Sequence, residues 1–206
     1  MKPILLYCIL LLSLSTLQAQ TSAKIKVTDY IGINTNVAAY DNKYIADLSK
    51  CVKWIREYHN WAHYEAANDY YKWDNITTQP QGWTWPEHTN FMNECRKYGI
   101  QILIDVLDKP SWVSSTHIPY NTGTGANASD YIERLEFMGQ LVARYGSKKF
   151  SNEQIESADN VSGLNYIKYY EDDNEPDYTW YSPRWTAENY AKYCNAVHDG
   201  FGVTPD

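Results

Sequence analysis

Positive charge, cysteine and long apolar runs are all scarce in this chain of 206 residues. Lys and Arg number 18 against 25 Asp and Glu, and the formal net charge of -7 argues against nucleic acid and anionic membranes as partners. The apolar run from Ile4 to Leu12 is too short, and too quickly followed by polar residues, to span a membrane. Set between Met1-Lys2-Pro3 and the polar stretch from Ser13 to Gln20, it has the layout of a secretory signal peptide cut after Ala19. Residues 1–19 are therefore expected to be removed, leaving one domain over 20–206 in a secreted or periplasmic protein. Of four cysteines, Cys8 lies in that leader. Cys51, Cys95 and Cys194 remain, an odd number on positions expected to be buried helix faces, so at least one thiol stays unpaired. No spacing among them suits a metal, and no cofactor is called for. There is no Gly-x-Ser-x-Gly, no phosphate loop and no His-Glu-x-x-His. Gly123 to Ala128 fits a dinucleotide pattern loosely, but no apolar strand precedes it.

Aromatic residues, in contrast, are plentiful, with 19 Tyr and 8 Trp. Such rings fill cores and also make flat platforms for the apolar faces of sugars. Hydrophobic spacing places them on an alternating framework. Ile31 to Asn36 reads as a first strand, and Asp41 can cap a helix carrying Ile45, Leu48 and Val52. Trp54 to Trp61 is a second strand, followed by an aromatic-rich insertion from Ala62 to Trp85. Pro86 opens a helix with Phe91, Cys95 and Tyr98 on one face, and Gly99 ends it. Ile100 to Asp108 is the clearest strand, a nearly continuous apolar run of the kind buried in a parallel sheet. Asp130 and Glu133 are spaced as a capping box for a helix through Tyr145, closed by Gly146. A polar connector from Ser147 to Gly163 leads to a strand beginning near Tyr166, and a last helix carries Tyr190, Cys194, Val197 and Phe201. The order βαβαβαβα predicts an α/β fold with parallel strands.

The fourth strand ends in Glu171-Asp172-Asp173-Asn174-Glu175-Pro176. A proline cannot donate to a sheet ladder, so Asn174 and Glu175 are expected at a strand mouth. A carboxylic acid there can give a proton to a leaving oxygen while the neighbouring amide holds a hydroxyl, the two tasks of sugar cleavage. Adjacent side chains point to opposite faces of a regular strand, so the pair can serve one ligand only if the strand ends or bulges there.

Tyr170-Glu171-Asp172-Asp173-Asn174-Glu175-Pro176 resembles the fourth-strand signature of the clan A retaining glycoside hydrolases, the endoglucanase, mannanase and xylosidase group. The resemblance implies a (β/α)8 TIM barrel, with Glu175 as acid/base and Asn174 on the sugar 2-hydroxyl. It also implies that Arg56 lies against a nucleophilic Glu at the end of a seventh strand. One departure is that the two positions before Asn174, often apolar or aromatic in the clan, are Asp172 and Asp173. His59, Trp61, Trp112 and Trp180 follow strand ends and are candidates to line an oligo- or polysaccharide site. Four strand-helix units use up Ile31 to Asp206, whereas a whole barrel takes about 250 residues. The chain is thus expected to be the first half of a glycosidase, without the nucleophile and inactive alone; Glu57, Asp105, Asp108 and Glu171 are carboxylates, but none stands at the matching position. Two other classes fit the residues: a non-catalytic carbohydrate-binding protein, and a parallel α/β domain whose acidic run from Glu171 to Asp177 binds calcium.

Overall fold

The computed structural model describes residues 26–35, 42–73, 88–114, 116, 118–119, 123–179 and 182–199. The leader segment, Asn36, Asp41, Trp83, Trp85, Pro86, Trp180 and Phe201 lie outside these described residues. In chain order the elements are β1 (Gly32–Thr35), α1 (Asn42–Leu48), β2 (Trp54–Asn60), α2 (Trp61–Tyr64), β3 (Glu65–Ala67) and β4 (Tyr70–Tyr71). There follow α3 (His88–Lys97), β5 (Gln101–Leu107), α4 (Ile132–Tyr145), β6 (Tyr169–Asp172) and α5 (Ala187–Asp199). One four-stranded sheet has the order β1-β2-β5-β6 with every neighbouring pair parallel, and β3 and β4 form a separate hairpin. The alternation of strand and helix expected from hydrophobic spacing is the observed one.

Register assigns each strand residue to a face, because residues paired across parallel strands project to the same side and successive residues alternate. One face carries Ile33, Ile55 and Ile102; then Thr35, Glu57, Ile104 and Tyr170; then His59, Val106 and Asp172. On that side Ile55, Ile102, Ile104 and Val106 are buried with Ile45, Phe91, Met92, Cys95, Phe137, Met138 and Leu141 from α1, α3 and α4. Each fully buried aliphatic side chain there contributes about 1.5–3 kcal/mol, which holds the helices against the sheet. The other face carries Asn34, Arg56, Leu103 and Tyr169, then Tyr58, Asp105 and Glu171. It is largely polar and mostly part-exposed, and no described helix covers it with apolar residues.

Four sequence expectations are corrected. The fourth strand begins at Tyr169 rather than near Tyr166, because the preceding backbone is spent on the end of α4. The N–H groups of Gly163, Leu164, Asn165 and Tyr166 donate to the carbonyls of Ala143, Arg144, Gly146 and Tyr145 at 2.8 to 2.9 Å. They thereby satisfy carbonyls left over where the helix ends. Asp130 does not cap α4 directly. Its buried carboxylate accepts from the N–H groups of Ala126 and Asn127, closing a 3-10 turn over Ala128–Tyr131 that leads into the helix. Trp61 is not the end of β2 but the first residue of α2, whose Ala62 N–H is capped by the Asn60 side-chain oxygen at 2.8 Å. Cys51 is exposed in the turn after α1, since that helix stops at Leu48, whereas Cys95 is buried and Cys194 half-buried; none of the three is in a disulfide.

Candidate active site

The carboxyl ends of parallel strands are where side chains from different units converge in α/β folds. Here Arg56 extends along the polar face from within β2 toward those ends and meets Asp105 from β5, Glu171 from β6 and Asn174 just beyond it. The Arg56 guanidinium forks onto Glu171, with Nε donating to Oε2 at 2.7 Å and Nη2 to Oε1 at 2.9 Å. Nη2 also meets Asp105 Oδ2 and donates to Asn174 Oδ1 at 2.9 Å. Arg56 thus reaches across β5 to hold three residues that lie 49 to 118 positions from it in sequence. Its cation lies 4.6 Å from the centre of the Tyr58 ring, and Asn34 donates to the Tyr58 hydroxyl at 3.3 Å.

One cation serves two carboxylates, and their surroundings divide it unequally. Glu171 is 38% exposed and takes the two-point contact, while Asp105 is fully buried. The Glu171 contacts, chiefly, hold Arg56 above its ordinary range. Burial pushes the Asp105 carboxyl up to about 7, Arg56 opposing the shift and Glu171 and Asp173 adding to it. Its second oxygen, Oδ1, is buried without a hydrogen-bond partner. Desolvation prevails over the ion pair, and the cluster favours a proton on Asp105 near neutrality.

Glu175 follows Asn174 at the strand mouth, exposed and left-handed at φ 51°, its carbonyl accepting from Tyr178 N–H at 2.9 Å. Asn174 and Arg56 come together; His59 and Trp61 do not join them. His59 is on the helix side, buried, with its Nδ1 against the Tyr64 hydroxyl and its ring stacked on Tyr64. Trp61 is fully buried, stacked on Phe137 at 5.2 Å and donating to Glu65 Oε2 at 2.7 Å. Trp112 packs its ring edge-on to Trp61 and donates to the Glu65 carbonyl at 3.2 Å. Trp180 lies outside the described residues. Among the other carboxylates, Glu57 is buried on the helix side against Thr35, and Asp108 is exposed beyond β5, accepting from Asn60 at 2.7 Å.

The role of Asp105 in this cluster was missed from sequence. Its signal was present: a lone charge in the apolar run from Ile100 to Leu107. Arg134 was missed too. Buried in α4, it bonds Asp172, the Tyr193 hydroxyl at 2.9 Å and the Val106 carbonyl at 2.8 Å. Among the described residues, Asp69, Glu136 and Glu156 offer carboxylates within 4.8 Å of one another that could hold a cation. Burial, and then Glu156, push Glu136 up to about 8.

A search of solved structures finds a family 39 glycoside hydrolase from the gut symbiont Bacteroides cellulosilyticus WH2, with a TM-score of 0.50 and 19% identity. The match covers 85% of this chain and 29% of that one. The likeness is one of fold. This chain is an α/β unit whose four parallel strands alternate with helices and match part of a glycosidase barrel. No protein-family model and no curated protein matches it.

Proposed function

We propose that this chain is the acid/base-bearing part of an exported retaining glycoside hydrolase acting on O-glycosidic bonds of an oligo- or polysaccharide. The observation that carries the proposal is the 2.9 Å contact from Arg56 to Asn174, which puts the amide beside Glu175 onto the open face at the carboxyl ends of the strands. Because Arg56 donates to Asn174 Oδ1, the amide NH2 is left to donate to a sugar hydroxyl. The likeness to a glycosidase barrel supports the same assignment.

In this mechanism the protonated Glu175 donates to the glycosidic oxygen as a second carboxylate attacks the anomeric carbon from the opposite face. The ionised Glu175 then takes a proton from water, which breaks the glycosyl-enzyme bond and restores the nucleophile. The two carboxyls must stand about 5–5.5 Å apart. The clan resemblance places the second one on a seventh strand, beyond the four strands here. Glu175 is exposed, and a glycan seated over the open face would exclude water from it. That exposure also favours a second reading, a carbohydrate-binding protein with the same groove and no chemistry.

The test uses this chain expressed with the coding sequence downstream of Asp206, against a panel of gluco-, manno- and xylo-oligosaccharides and their aryl glycosides. Glu175→Gln is expected to lower oligosaccharide turnover by about 10²–10⁴-fold, the usual worth of general acid catalysis. The loss should be much smaller for the first step on a dinitrophenyl glycoside, whose leaving group needs no proton. Unchanged oligosaccharide turnover in Glu175→Gln would remove the acid/base assignment. Glycan binding with no hydrolysis by either protein would establish the second reading instead.

A further inference from the structure

We propose that Asp173 and Trp185 form a positioning pair that turns Asn174 onto the substrate face; as a role in catalysis this rests on the proposed glycosidase function. Strict alternation along β6 puts Glu171 on the open face and Asp172 on the helix side, and it would return Asp173 to the open face and send Asn174 inward. The structure shows the reverse. Asp173 is left-handed at φ 73°, and its carboxylate reaches the Trp185 indole, accepting from Nε1 at 3.2 Å. Asn174 swings outward to meet Arg56. The exchange of sides happens at one residue.

Three contacts fix that residue. Its N–H still donates to the Val106 carbonyl at 3.1 Å, so the chain is anchored to the sheet up to the kink. Its Oδ1 accepts from the Asn174 N–H at 2.9 Å, while Oδ2 takes the indole proton, so a single carboxylate ties the next peptide to Trp185. Trp185 cannot yield easily: it is 6% exposed and packed against Tyr131, Tyr190 and Tyr193 at ring distances of 6.1, 5.5 and 4.9 Å. Tyr190 from α5 adds a second hold, its hydroxyl donating to the Asp172 carbonyl at 2.9 Å. A left-handed non-glycine residue costs about 1–2 kcal/mol, and such a residue persists where its surroundings determine it. Asp173 is therefore a positioning residue, acting through Asn174 and Glu175.

Two variants separate the hydrogen bonds from the packing. Trp185→Phe keeps a ring in the cluster and deletes the indole N–H. Asp173→Gly accepts a positive φ freely and deletes the carboxylate. In the isotope-labelled chain of 206 residues, both are expected to shift the side-chain amide signals of Asn174, whose oxygen Arg56 holds, while leaving signals from α3 in place. In the catalytically active polypeptide, both should lower kcat about 10–100-fold with KM within about twofold, the pattern of a misplaced reacting group. Unmoved Asn174 signals, or wild-type kcat in Trp185→Phe, would overturn the pairing. If no polypeptide hydrolyses any glycoside and the Asn174 signals still move in both variants, the pair stands as the device that turns Asn174 and the proposed activity falls.

Discussion

Replacing Asp105 by Asn should stabilise the protein at pH 8 and leave its stability nearly unchanged at pH 4. A view based on ion pairs gives the opposite sign, because Asp105 touches Arg56. Burial lifts the Asp105 carboxyl from 3.8 to about 7 despite that contact. Between those values the folded protein holds a proton that the unfolded chain has released, so the free energy of unfolding falls as pH rises through this window. The contribution is neutral below about pH 4 and fully unfavourable above about pH 7. Roughly three pH units at about 1.4 kcal/mol each come to around 4 kcal/mol. The amide resembles the protonated acid, escapes this penalty, and leaves Arg56 its two-point contact with Glu171.

Urea unfolding of the two proteins at pH 4, 5, 6, 7 and 8, followed by tryptophan fluorescence, measures the effect. With a denaturant slope of about 2 kcal/mol per molar, the midpoints should coincide at pH 4 and separate by about 1–2 M at pH 8, Asp105→Asn the higher. Burial also pushes Glu65 up to about 7 and Glu136 up to about 8, so both proteins should lose stability as pH rises; these shared contributions cancel in the difference. A lower midpoint for Asp105→Asn at pH 8, or a difference that does not vary with pH, would refute the reasoning.

Arg134→Met should destabilise the chain by about 3–5 kcal/mol in the same unfolding assay, because it strands the Asp172 carboxylate and the Tyr193 hydroxyl beside a buried apolar side chain. A loss under about 1 kcal/mol would show that water already reaches this pair. With a thiol reagent at pH 8, Cys51 should react within seconds to minutes in the folded protein, whereas Cys95, buried and pushed up to about 12, should react only after unfolding. Rapid native labelling of Cys95, located by peptide mapping, would contradict its burial between α3 and the sheet.

Strand and helix order was legible because each unit carries its own period: the nearly continuous apolar run from Ile100 to Leu107 suits a buried strand, and Leu135, Met138 and Tyr145 recur at helical spacing and are buried, although Ile132 and Val142, expected on the same helix face, are exposed. That a strand ends just before Asn174 was legible through Pro176. What sequence could not give was which face each polar strand residue takes, since that depends on register between strands far apart in the chain. His59 and Trp61 were chosen for lying near a strand end. Their register, one residue out of phase with Arg56 for His59 and inside a helical turn for Trp61, sends them into the core. The start of β6 was misplaced for a related reason: Tyr166 and Ile167 have strand-like side chains, but their N–H groups go to the Tyr145 carbonyl, a tertiary choice that propensity does not encode.

The same register accounts for the acidic run that invites a calcium-loop reading. Glu171 projects to the open face and is held by Arg56 from β2. Asp172, on the opposite face, is held by Arg134 from α4. Asp173 turns at the kink and is held by Trp185. Three consecutive acids thus point in three directions, each tied to a donor from a different part of the chain. A cation that gathered them would have to break two buried or half-buried ion pairs and the hydrogen bond that sets Asn174, and the desolvated Asp172 would lose the guanidinium that compensates its burial. A run of negative charge along a strand is in this way converted into three separate fastenings for the strand end. Two of those fastenings, Asp172 to Arg134 and Asp173 to Trp185, leave Arg56 to hold Glu171 and Asn174 on the open face.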